Sequence, residues 1–125
     1  MNSRRQKRGA ESFRRGQWAE ILCLWLLRLK GYRILARNYR SRAGEIDLIV
    51  KRGAILAAVE VKARASREAA GESVLWRQRA RIARALENYL AFHPGLRDSN
   101  LRFDVMLVAP RSLPLHIRDA WRPEA

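Results

Sequence analysis

Three carboxylates and one ammonium sit among residues that otherwise read as buried strands: Glu45 and Asp47 in Gly44-Glu45-Ile46-Asp47-Leu48-Ile49, then Glu60 and Lys62 in Val59-Glu60-Val61-Lys62. Both runs are rich in β-branched and aliphatic residues and flank Lys51-Arg52-Gly53, which predicts a hairpin. Side chains alternate faces along a strand, so Glu45 and Asp47 share one face of the first strand, and Glu60 and Lys62 one face of the second. With Arg52-Gly53 as the turn, Glu45 falls opposite Glu60 and Asp47 opposite Ala58, diagonal to Glu60. All four charges then lie on one side of the sheet. Carboxylates on neighbouring strands repel, and in a partly dry site that repulsion needs a cation or a proton to relieve it. A divalent ion does so, and hard oxygen donors such as Asp47 and Glu60 suit Mg²⁺ or Mn²⁺. Lys62 would orient a water or stabilise charge on a phosphate. The same residues fit a plain surface hairpin with a solvated polar face and Lys62 paired to Glu60 or Glu45; spacing alone does not separate the two.

The elements around this hairpin decide what it faces. From Glu11 to Lys30 apolar residues recur at helical spacing, with Gly31 as a C-cap. Phe13, Gln17, Glu20, Leu24 and Leu27 fall on one stripe, which turns Glu20 inward; Trp18, Cys23 and Trp25 read as packing residues. Tyr32 to Tyr39 reads as an edge strand, followed by a basic loop whose Arg40 and Arg42 are candidates for phosphate contact or for ordinary solvation. A loop over 63–71 carries Arg64. Helical periodicity returns over 72–92, with Leu75, Ile82, Ala85, Leu86 and Tyr89 on the core stripe, Arg77, Arg81 and Arg84 on a basic one, and Gln78 interrupting the former. Leu101 to Val108 alternates as a strand, where Asp104 is expected to pair with Arg102. Leu113 to Ile117 is expected as a short edge strand, and Trp121 as a cover over one end of the core.

At 125 residues the chain fits one domain over 11–125, preceded by a basic, disordered arm over 1–10. Its formal net charge of +14 attracts polyanions. Four of the 26 basic residues are lysine and the other 22 arginine, the better planar fork for phosphate. One cysteine excludes an intramolecular disulfide, and no His and Cys cluster has zinc spacing. The apolar run from Ile21 to Leu29 is short and contains Arg28, so neither a membrane span nor a signal peptide is expected, and the protein reads as cytoplasmic. There is no Gly-rich phosphate loop, internal repeat or Ser-His-Asp spacing.

Asp47, a gap of twelve residues and Glu60-Val61-Lys62 resemble the Asp…(Asp/Glu)-x-Lys core of restriction-endonuclease-like nucleases, particularly the branch similar to Holliday junction resolvases. Gly16-Gln17-Trp18-Ala19-Glu20, Asn38-Tyr39-Arg40, the two acidic blocks and Arg102-Phe103-Asp104-Val105 are more similar still to the small bacterial YraN family, over about Gly16 to Trp121. The resemblance implies an α/β/α sandwich around a central mixed β-sheet and a metal-dependent phosphodiesterase acting on DNA more than RNA, branched DNA included. It further implies Mg²⁺ or Mn²⁺ on Asp47, Glu60 and the carbonyl of Val61, with Lys62 positioning the attacking water. Glu20 would serve as an outer acid and Gln78 as a residue near the scissile phosphate, although a half-buried amide bonded to backbone explains Gln78 equally. Arg40, Arg42, Arg64 and Arg77 would hold the phosphate backbone. The other outcome is a binding module of the same fold that does not cut. Resolvase-like proteins act as homodimers, and the apolar first helix is the one candidate interface.

Overall fold

The computed structural model describes residues 3–64 and 76–123, with side chains described over 16–64 and 78–123. Helix α1 (Ser3–Leu29) leads into strands β1 (Arg33–Arg40), β2 (Glu45–Arg52) and β3 (Ile55–Ala63), then helix α2 (Trp76–Ala91), a 3₁₀ turn (Pro94–Leu96), β4 (Asn100–Val108) and β5 (Leu115–Ile117). The expected basic arm lies outside the residues whose side chains are described, as does the expected start of the second helix at 72–75.

The strands form one sheet in the order β1-β2-β3-β4-β5. β1, β2 and β3 are antiparallel neighbours joined by short turns, β4 runs parallel to β3, and β5 is antiparallel to β4. A parallel neighbour needs a long crossover, and the segment containing α2 supplies it. β1 is an edge, as its weak alternation suggests.

Each helix covers one face of the sheet. Cys23, Leu24 and Leu27 of α1 pack on Leu48, Val50, Val59 and Met106. Ile82, Ala85, Leu86 and Tyr89 of α2 pack on Ile49, Leu56, Ala58, Phe103 and Val105. The result is the expected α/β sandwich around a mixed sheet, compatible with a nuclease-like architecture. Trp121 closes the α2 side, its ring 4.3 Å from that of Phe103. Two expectations fail here: Trp18 and Trp25 are 62% and 57% exposed rather than packed. The buried stripe of α1 is filled by Ala19, Cys23, Leu24 and Leu27, which leaves both indoles on the outer side.

Away from the hairpin, Asp104 gathers the α1 face of β4 into one ionic cluster. Arg102 donates to it from Nε and Nη2 at 2.8 Å each, His116 Nε2 approaches at 2.7 Å, and the Asp119 N–H donates at 3.0 Å. Arg102 Nη2 also reaches the Tyr32 hydroxyl at 2.5 Å. The carboxylate therefore ties β4, β5 and the start of β1 together, with partners beyond the expected Arg102 pair.

Candidate functional site

The hairpin register differs from the expected one. Arg52 pairs with Ile55 and Leu48 with Val59, so the turn is Gly53-Ala54. Gly53 takes the left-handed conformation (φ 59°) that the turn requires. Continuing this register places Asp47 directly opposite Glu60, instead of diagonal to it, and Glu45 opposite Lys62. The shift is two residues, an even number, so the charged face is preserved while its pairs are re-dealt.

At Asp47 the strand's alternation slips. Leu48 and Val50 pack in the α1-side core, Ile46 and Ile49 in the α2-side core. The neighbouring strand explains this: Arg37 pairs with Leu48 and Tyr39 with Ile46, so Asn38 lies beside Asp47, and Asn38 has a left-handed φ of 49°. The kink turns the Asp47 side chain toward β3, where Oδ2 accepts the Val61 N–H at 2.8 Å. A carboxylate in the plane of the sheet can feel groups on both faces.

It does. On the α2 side, Glu60 is pushed up to about 8 by burial, then by the charge of Asp47 and a hydrogen bond with it, with Lys62 opposing. Lys62 Nζ lies 3.5 Å from Glu60 Oε1, and both side chains are largely buried. On the α1 side, Glu20 is only 8% exposed, and its carboxyl is raised by burial and then by Asp47, against Arg37 and Asn38. Glu20 Oε1 sits 3.8 Å from Arg37 Nε and has no hydrogen-bond partner among the described residues. Buried Cys23 is pushed up to about 12 by burial and then by Asp47 and Glu20, which leaves it a packing thiol. The arrangement thus concentrates acids around Asp47 with less positive charge than they need.

Asp47 and Glu60 open into a cleft of about 400 Å³, which Ser41, Gly44, Glu45, Gln78, Arg81 and Ile82 complete. The 41–44 loop is tied by the Ser41 N–H to the Gly44 carbonyl at 2.9 Å and by the Ser41 hydroxyl accepting the Ala43 N–H at 3.1 Å. Gly44 abuts α2: a Cβ there would lie 2.9 Å from Arg81 Cβ and 3.0 Å from the Arg81 carbonyl oxygen. Tyr39 donates to Asn88 of α2, a second tie between this strand and the helix. Gln78 is half-buried, and among the described residues its Oε1 has no hydrogen-bond partner, so a bond to described backbone does not account for that oxygen.

The structure brings together Asp47, Glu60, Lys62 and Glu20, with Gln78 on the cleft wall. Asp47, Glu60 and Val61 converge, and in an extended strand the carbonyl of Val61 leaves on the same edge as its N–H, the edge that faces Asp47. Among the described residues no three His, Cys, Asp or Glu side chains form a ready-made metal cage. A metal here would complete its shell with waters or ligand oxygens, the usual habit of Mg²⁺. Glu45 is 68% exposed and pairs with Arg40 at 3.4 Å, so it stands at the rim. Arg42 is exposed in the loop, whereas Arg64 folds back to donate to the Ala63 carbonyl at 2.7 Å. The side chain of Arg77 lies outside the described residues. Sequence reasoning missed Arg37 and Asn38, which act on Glu20 and Asp47 from the edge strand, and did not single out Arg81 as a cleft residue; the alternation of β1 carries no mark of that role.

Residues 19–108 match the uncharacterised protein family UPF0102. A UPF0102 protein of Parvibaculum lavamentivorans is 52% identical over 115 residues, spanning 92% of this chain and 86% of the relative. Those of Methylorubrum extorquens and Paramagnetospirillum magneticum are 50% and 51% identical, over 88% and 87% of this chain and 86% and 88% of their own lengths. The chain belongs to UPF0102. The matched span of the UPF0102 chain begins one residue before Glu20 and contains Asp47, Glu60, Lys62 and Gln78. No helix among its described residues is long and apolar enough to cross a membrane.

Proposed function

We propose that this UPF0102 protein is a metal-dependent phosphodiesterase that acts on DNA. The observation that carries the reading is Asp47, turned into the plane of the sheet opposite Glu60 and adding to burial in raising the carboxyls of both Glu60 and Glu20. That is the chemistry of a cation-binding site, and two carboxylates with one main-chain carbonyl suit a hard divalent ion. Asp47, Glu60 and the Val61 carbonyl would hold Mg²⁺ or Mn²⁺. Such an ion, when bound, polarises a phosphoryl oxygen.

The chain's own groups account for the remainder. Lys62 is held by Glu60 and can donate a hydrogen bond to a water or a phosphate oxygen, orienting the nucleophile. Glu20, with its raised carboxyl, is placed to hold or return a proton at the back of the site. Gln78 Oε1, unsatisfied among the described residues, accepts a hydrogen bond from whatever enters the cleft. Arg42 and Arg81 offer charge to flanking phosphates.

The test is to offer the purified protein branched, flapped, single-stranded and duplex DNA with Mg²⁺ or Mn²⁺. Cleavage is expected and should fall at least about 100-fold in Asp47→Ala and Lys62→Ala, the scale of one preorganised electrostatic contact; cutting that survives both substitutions removes these residues from the mechanism. A second reading, a module that grips nucleic acid without cutting, is favoured by the Lys62–Glu60 pair, which already satisfies part of the charge. Calorimetry with Mn²⁺ on the wild type and Glu60→Ala separates the two. Heat that disappears in the variant supports the first, and none in either supports the second.

A further inference from the structure

We propose that the groove between α1 and the ends of β3 and β4 receives an unpaired nucleic-acid strand as it leaves the carboxylate cleft. This inference rests on the phosphodiesterase reading and names the substrate class: DNA with a single-stranded arm beside the scissile phosphate. The groove, of about 460 Å³, is lined by Trp18 and Leu22 of α1, Ala63 and Arg64 at the end of β3, and Pro110 and Arg111 beyond β4. Trp18 is 62% exposed, an indole that the core leaves free on one wall. No acidic residue is among the described residues that line the groove.

Position joins this groove to the site. Ala63 and Arg64 follow Lys62 directly along the chain. Ala63 packs on the α1 side, whereas Glu60 opens into the cleft on the α2 side. The two depressions therefore draw on the same end of β3 from opposite faces of the sheet, and a ligand that occupied both would bend around that end. A single strand bends readily, and a duplex does not.

Chemistry selects the occupant. An exposed indole offers a flat face on which any base can stack, and guanidinium groups at the rim hold the phosphates between successive bases. In a duplex the bases are already stacked on one another and present no free face, so the groove distinguishes unpaired from paired strands. A second copy of this chain, itself carrying +14, would bring like charges together at the same rim.

The experiment measures binding of full-length protein, in EDTA to prevent cleavage, to labelled blunt duplex and to the same duplex with a single-stranded arm. Wild type, Trp18→Ala, Trp18→Phe and Arg111→Ala are compared, after circular dichroism shows that each is folded. Trp18→Ala is expected to weaken the armed DNA about 5- to 100-fold, the range of one base–aromatic stack, and to change blunt duplex less than about twofold. Trp18→Phe should recover most of the loss, and Arg111→Ala should weaken the armed DNA more than the blunt one. Equal effects of Trp18→Ala on both DNAs, or none on either, overturn the groove assignment. If that happens while Asp47→Ala still abolishes cleavage, only the groove assignment fails; absence of all nucleic-acid binding removes both.

Discussion

Burial and the charge of a single residue, Asp47, set the electrostatics of the candidate site, and the consequence is readable in stability. In the absence of a metal, burial and then Asp47 push the Glu60 carboxyl up to about 8, against the pull of Lys62. Between the ordinary carboxylate range and that value the folded state binds a proton that the unfolded state has lost, so stability falls as pH rises through this window. Asp104 has the opposite sign. Burial alone would raise its carboxyl, but the hydrogen bonds from His116 and Arg102 and the Asp119 N–H outweigh burial and lower it. Its contribution is present above the ordinary carboxylate range and is lost as pH falls through the lowered value. Urea unfolding in EDTA should therefore show stability declining on the strongly acid side and again as pH rises from the ordinary carboxylate range to about 8. Glu60→Gln should flatten only the second decline, and Mn²⁺ should restore stability there in the wild type but not in the variant. An unchanged second decline in Glu60→Gln would mean that another group is responsible.

Among elements, the 41–44 loop must lie flat on α2 for the cleft to have its two walls. Gly44 is the contact, and the neighbour a side chain would meet is the Arg81 backbone as well as its Cβ, which cannot swing aside. Gly44→Ala should destabilise the fold by about 1–3 kcal/mol, the scale of forced overpacking. It should also slow cleavage more than Arg42→Ala does, since it moves the wall carrying Gln78 and Arg81. A chemical-denaturation midpoint equal to wild type would show that loop and helix are not in register contact. The strands themselves were legible, because the apolar runs of β2, β3 and β4 and the order of helices dictate a sandwich. The register was not: Arg52-Gly53 and Gly53-Ala54 are both credible turns, and only closure of the ladder chooses. The in-plane turn of Asp47 was hidden for a different reason. It depends on Asn38 in the adjacent strand, and no period within β2 records a kink imposed from next door. Likewise His116 reaches Asp104 from twelve residues along the chain, whereas Arg102, two residues away on the same strand face, was visible at once. The exposed Trp18 misleads a composition-based reading because large aromatics are usually buried.

At the scale of the whole molecule, a net charge of +14 coexists with a small group of acids, and these two facts belong together. A cluster of carboxylates would repel a phosphate backbone; a strongly positive net charge would reverse that repulsion at a distance, and in the proposed function the acids would then act at contact through a metal. Association should then be governed by counterion release, with log K falling linearly against log salt at a slope of about −0.9 per phosphate neutralised. For an armed duplex we expect about four to six phosphates, hence a slope of about −3.6 to −5.4. The individual arginines should not contribute equally. Arg40, at the end of β1, is 3.4 Å from Glu45 and already shares its charge, whereas Arg42 stands exposed in the loop that follows, with no acid paired to it among the described residues. Arg42→Ala should lower the magnitude of the slope by about 1, and Arg40→Ala by clearly less. Fluorescence anisotropy across a salt series reads both; a slope near zero in the wild type would show that the arginines do not form a nucleic-acid surface, and equal changes in the two variants would show that the Glu45 pair does not hold Arg40 back.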